Sequence, residues 1–113
     1  MAHDIRANLQ NLSISAQKVR LVVNVVRGKK AEDALNILSL MPQAPARHVR
    51  KLISSAIANA EENFGVSRDD LYVSHISADE GPTRKWRRFG ARGRFKPLLR
   101  RSSHIEVILR EKA

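Results

Sequence analysis

Between Gly81 and Arg101 the chain carries nine arginines and lysines and no acid. They are Arg84, Lys85, Arg87, Arg88, Arg92, Arg94, Lys96, Arg100 and Arg101. Trp86, Phe89 and Phe95, three of the five aromatics in the chain, are set among them. A guanidinium offers a charged fork to phosphate oxygens and a flat face for stacking. Aromatic rings stack on unpaired bases. Cations interleaved with aromatics therefore point to a nucleic acid whose bases are partly exposed. The plainer reading is a basic loop whose aromatics pack back onto the domain.

The rest of the chain is close to neutral. Residues 1–79 hold ten basic and eight acidic residues, whereas residues 80–113 hold eleven and three. The net charge of +10 is therefore mostly local, the pattern of a dedicated contact segment for a polyanion. Lys18, Arg20, Arg27, Lys29 and Lys30 lie close together in sequence. They suit a second phosphate-binding surface or an ordinary solvated face, and composition does not separate the two.

The elements that must position the arm come from hydrophobic periodicity. Residues 4–10 alternate, with Ile5, Ala7 and Leu9 on one side, and predict a half-buried strand. Ser15 suits an N-cap and Gly28 a position just past a helix end. Between them Ala16, Val19, Val22, Val23 and Val26 share one helical face. Ala31, Ala34, Leu35 and Leu38 predict a second helix, with Glu32 and Asp33 in its first turn and Pro42 as its stop. A third helix starts near Pro45 and ends at Gly65. Its broad apolar face comprises Ala46, Val49, Leu52, Ile53, Ala56, Ile57, Ala60 and Phe64. Residues 71–78 predict a strand of weaker alternation. Residues 104–109 predict another, with Ile105, Val107 and Leu109 facing in.

The expected fold class is α+β: three helices packed on a small three-stranded antiparallel sheet, with a long protruding β-hairpin. A length of 113 residues suits a single domain, 1–113, with 81–101 as the extended basic arm. Gly90 and Gly93 fall near the middle of the arm and, with Ala91, make its expected tip. Antiparallel flanks would give legs of about ten residues, on the order of 30 Å each. An isolated two-stranded ribbon is marginal in water, so the arm is expected to be ordered by its partner.

Several function classes drop out. The chain has no cysteine, which excludes disulfides, thiol catalysis and cysteine-ligated zinc. His3, His48, His75 and His104 are scattered without metal-ligand spacing. Glu61-Glu62 and Asp69-Asp70 are sequence neighbours at helix ends and turns, not a general acid–base pair. Gly90-Ala91-Arg92-Gly93 matches a KH-type clamp, but its flanks do not read as helices. No phosphate-binding loop, dinucleotide motif or nucleophile elbow is present. The expectation is a protein with no catalytic residues, metal, cofactor or small-molecule substrate. No signal peptide or membrane span is expected either.

Along essentially its full length the chain resembles the uL22 (L22) family of bacterial ribosomal proteins. The resemblance is carried by Ser15-Ala16-Gln17-Lys18-Val19-Arg20-Leu21-Val22, Val26-Arg27-Gly28-Lys29 and Ala56-Ile57-Ala58-Asn59-Ala60. Further along it rests on Leu71-Tyr72-Val73, Asp79-Glu80-Gly81-Pro82-Thr83 and Ala91-Arg92-Gly93-Arg94. Ser103-His104-Ile105-Glu106-Val107-Ile108-Leu109 completes it. The resemblance implies a domain on the outer surface of the large subunit in the cytoplasm. It implies a hairpin running inward through 23S ribosomal RNA, with its tip in the wall of the nascent-peptide exit tunnel. Neighbouring large-subunit proteins and the nascent polypeptide would be further partners. It also implies that Lys18, Arg20, Lys29 and Lys30 contact RNA. Many relatives carry Pro-Arg where this chain has Phe89-Gly90, so exact tip contacts are not implied. A β-ribbon-arm DNA-binding architectural protein is the competing expectation, because such arms also carry cations and an apolar wedge.

Overall fold

A computed structural model describes residues 4–81, 84–89 and 95–111; for 84–89 and 95–100 only the backbone enters the description. The element order is β1 (Asp4–Leu12), α1 (Ala16–Val26), α2 (Ala31–Leu40), α3 (Ala44–Phe64), a short 3₁₀ turn (Arg68–Asp70), β2 (Leu71–Glu80), β3 (Arg84–Phe89), β4 (Phe95–Arg100) and β5 (Ser103–Glu111).

The central strand of the main sheet is the last in sequence. The order is β1-β5-β2, antiparallel throughout. β5 alternates without a break, burying Ser103, Ile105, Val107 and Leu109. β2 shifts register between Val73 and His75. That bulge explains its weak alternation: Leu71 and Val73 face the core before it, Ile76 and Ala78 after it. β1 runs two residues beyond the expected end and bulges between Leu9 and Leu12, where Asn11 takes a φ of 57°. Asparagine tolerates that left-handed backbone better than most residues.

The helices lie on one face of this sheet. α1 packs over β2, α3 over β1 and β5, and α2 beside α3. The valines expected to face inward on α1 are all fully buried. They are poor helix formers, so packing rather than propensity holds α1. Ser15 occupies the N-cap position but makes no side-chain capping bond. α3 ends at Gly65, whose φ of 63° lets the Val66 amide return to the Ala60 carbonyl at 3.2 Å. Phe64, assigned from its spacing to the buried face, is 43% exposed as the last residue of α3.

β3 and β4 form a separate two-stranded antiparallel ribbon, in register from Arg84 opposite Arg100 to Phe89 opposite Phe95. Its described legs are six residues each, about 20 Å at strand rise. The expected tip residues Gly90, Ala91 and Gly93, with Arg92 and Arg94, lie outside the described residues. The principal extents are 64 × 25 × 18 Å and the radius of gyration is 17.3 Å. A compact chain of this length would have a radius of gyration of about 13 Å. The long axis fits a ribbon standing off the body.

Candidate nucleic-acid interface

The ribbon sets like charges opposite one another. Arg84 is in register with Arg100, and Arg88 with Lys96. Directly opposed like charges destabilise a strand pair. The arrangement therefore favours an anion that neutralises both sides. Pro97 lies opposite Arg87 within β4. Proline has no N–H to give and is tolerated here because each ribbon strand needs only one ladder.

The root of the arm is built tightly. The Gly81 amide donates to the Ser102 carbonyl at 2.9 Å. A Cβ added at Gly81 would come within 2.6 Å of Ser102 Oγ and 3.2 Å of the His104 ring. His104 Nδ1 in turn accepts the Asn11 amide at 3.1 Å, which makes it a structural histidine joining the β1 bulge to the arm root. Ser103, next to it, is buried, and its Oγ has no partner among the described residues.

The basic residues of α1 divide into two kinds. Arg20 Nε donates to the Ala78 carbonyl at 3.0 Å, and Arg27 Nη2 to the Ile76 carbonyl at 2.7 Å. Arg27 Nη1 also donates to Asn24 Oδ1 at 2.8 Å. These arginines tie α1 to the outer edge of β2. The chain after α1 continues the tie: Gly28, with φ of 81°, donates to Val73 O, and Val73 donates to Lys29 O. A bridge between Lys30 and Tyr72 follows. Arg20 thus has a structural duty that periodicity could not reveal. Lys18, Lys29 and Lys30 are exposed. They do not form one patch, because Lys18 is in the first turn of α1 and the other two lie beyond its last. The helix from Lys18 to its last residue is alone about 12 Å long. Lys18 instead lines a groove with Arg101, the last cation of the arm.

Acids gather at the opposite end of the body. Glu32 and Asp33 open α2, Glu61 and Glu62 close α3, and Asp69 and Asp70 lie in the 3₁₀ turn between α3 and β2. Glu61 pairs with Arg68 at 2.9 Å. A hydrogen bond with Asp69 raises the Glu32 carboxyl above the usual carboxylate range, helped by lost hydration and the charge of Asp69. β2 begins at this acidic end and finishes at the arm root, about 30 Å away at strand rise. This carboxylate cluster therefore lies far from the arm, while Asp79 and Glu80 stand at the arm root itself. No group of three or more potential metal ligands occurs among the described residues.

Comparison with known proteins points the same way. Residues 7–110 match the family described as ribosomal protein L22p/L17e. The chain is 46% identical over 109 residues to the large ribosomal subunit protein uL22 of Thermoanaerobacter sp. (strain X514), covering 96% of this chain and 98% of that one. The uL22 protein of Thermoanaerobacter pseudethanolicus (strain ATCC 33223 / 39E) matches with the same identity and coverage.

Proposed function

Since the chain belongs to the ribosomal protein L22p/L17e family, structural constituents of the large ribosomal subunit and not enzymes, we propose that it braces 23S ribosomal RNA with the arm of residues 81–101. In this reading the whole chain, 1–113, acts as one RNA-binding domain. Arg84, Lys85, Arg87, Arg88, Arg92, Arg94, Lys96, Arg100 and Arg101 neutralise phosphates. Trp86 and Phe89 stack on bases that the folded RNA leaves unpaired. Lys18, Lys29 and Lys30 add phosphate contacts from the body. Arg20 adds only its outer guanidinium nitrogens, since its Nε is engaged with Ala78. The tip at Gly90, Ala91 and Gly93 lines the nascent-peptide exit tunnel, where small residues leave room for a passing polypeptide. The other partners are neighbouring large-subunit proteins, and the site of action is the cytoplasmic ribosome.

One observation carries the reading: an acid-free ribbon in which Arg84 opposes Arg100 and Arg88 opposes Lys96. Such a ribbon is most stable when it is sandwiched in polyanion. The competing DNA-binding expectation has no observation of its own in its favour.

The test replaces Arg84, Arg87, Arg88, Arg92 and Arg94 by alanine. The body should melt as before, while incorporation into large subunits falls sharply. For the parent, log K for single-stranded ribosomal RNA should fall with log salt at a slope near −4 if about six cations meet phosphates. The variant should lose about three units of that slope. Normal incorporation, or a preference for duplex DNA over ribosomal RNA, would overturn the proposal.

A further inference from the structure

A groove of about 640 Å³ opens where the first turn of α1, the start of α3 and the arm root meet. Its apolar wall is Ile14, Leu21 and Pro45, and its polar rim includes Lys18, Arg101 and Gln43. No carboxylate lines it. Glu80 lines the neighbouring cleft, which shares Ser15 and Arg101 with the groove. Leu21 is 66% exposed and Val25, one turn further along α1, is 40% exposed. With Lys18 they form a stripe at helical spacing on the side of α1 turned away from the valine core. Leu40 is more exposed still but does not line this groove; what sets the stripe apart is that it ends in two cations.

We propose that this groove receives a single unstacked nucleotide of ribosomal RNA. The inference rests on the RNA-binding reading above and gives it a second, body-borne contact. The base lies against Leu21, Ile14 and Pro45, where displaced water favours any flat apolar face. Its phosphate sits between Lys18 and Arg101. The Gln43 amide carries both donors and an acceptor and can meet a base edge. The volume falls within the range of about 300–1,000 Å³ usual for small-ligand sites. A docked apolar segment of another protein would use the same wall but has no need of two cations on a rim that itself carries no carboxylate. Because Arg101 is also the end of the arm, the nucleotide is held where arm and body meet, and the arm is thereby aimed.

The experiment places a benzophenone amino acid at position 21 of the full chain and irradiates assembled large subunits. A crosslink to one ribosomal RNA nucleotide is expected. A crosslink to protein, or none, overturns the proposal. In parallel, Leu21→Gln is measured on purified 23S ribosomal RNA beside the five-arginine arm variant. Leu21 is exposed, so the melting temperature should hold. Affinity should fall about three- to tenfold, the scale of one lost aliphatic contact. If Leu21→Gln binds like the parent while the arm variant does not, the groove proposal fails and the RNA reading stands. If both bind like the parent, both fail.

Discussion

The two sheets of this molecule are held by opposite means. The β1-β5-β2 sheet has three helices on one face, and its central strand buries four side chains in a row. Its β2 edge is closed by Arg20, Arg27 and residues 28–30. Among the described residues the β3-β4 ribbon has two strands and no third, with like charges opposite one another in register. The first is stabilised by removing aliphatic surface from water. The second mixes apolar positions, Trp86 opposite Leu98 and Phe89 opposite Phe95, with cations that oppose one another and have no acid between Gly81 and Arg101 to offset them. The same backbone ladder thus serves a layer covered by helices and a charged ribbon that, in the function proposed above, is completed by RNA.

The comparison breaks most sharply at Ile105, which is 1% exposed in the middle of β5. Ile105→Asp places an unpaired charge between Leu9 and Ala78. It is expected to cost about 3–5 kcal/mol, measured by denaturant unfolding. A melting temperature within a few degrees of the parent would remove β5 from the core. The five-arginine arm variant is the counterpart: a large loss of assembly with no loss of body stability.

A smaller effect is expected at the sealed edge. Arg27→Ala removes a partly buried charged hydrogen bond to Ile76 and should cost about 1–2 kcal/mol. Opening that edge should also make self-association rise with concentration, since exposed strand edges template pairing. Sedimentation of the variant against the parent reads this directly, and unchanged stability and association would show that the edge needs no cover.

The smallest effect tests the other edge, β1. Asp4 meets Arg110 at 2.6 Å, and that hydrogen bond, with the nearby charge, holds its carboxyl below the usual range. A depressed folded value stabilises above the unfolded pKa and is lost as pH falls through the folded one. Asp4→Asn should therefore match the parent in strong acid and fall slightly below it at neutral pH. Because the pair is exposed, molar salt should erase the difference. A difference that survives molar salt would show that the pair is not a screened surface contact.

Much of the fold was legible in the residues. α1, α3 and β5 follow from spacing alone, because their periods are local and each has a single buried face. The helix ends at Gly28 and Gly65 were readable because both adopt positive φ. The arm stood out for the same reason: absence of acid over a run of residues is a one-dimensional property. β2 was read less cleanly, since the Val73/His75 bulge switches faces mid-strand. Phe64 was misplaced because helical spacing marks a face and not how far along that face the neighbouring elements cover it. In the interface, Lys18, Arg20, Lys29 and Lys30 looked alike, and nothing local distinguishes a cation facing solvent from one bonded to a distant carbonyl.

The sequence by itself determined which segments are helix or strand, which face of each is apolar, and where the positive charge is concentrated. Those properties depend on neighbours a few residues apart. Only the tertiary structure decided that the last strand lies in the centre of the sheet and that Arg20 and Arg27 close the β2 edge. It alone brought Lys18 to Arg101 and sent the carboxylates of α2 and α3 to the end far from the arm. Each of these depends on pairing residues tens of positions apart, and such pairings are chosen by the packing of the whole core.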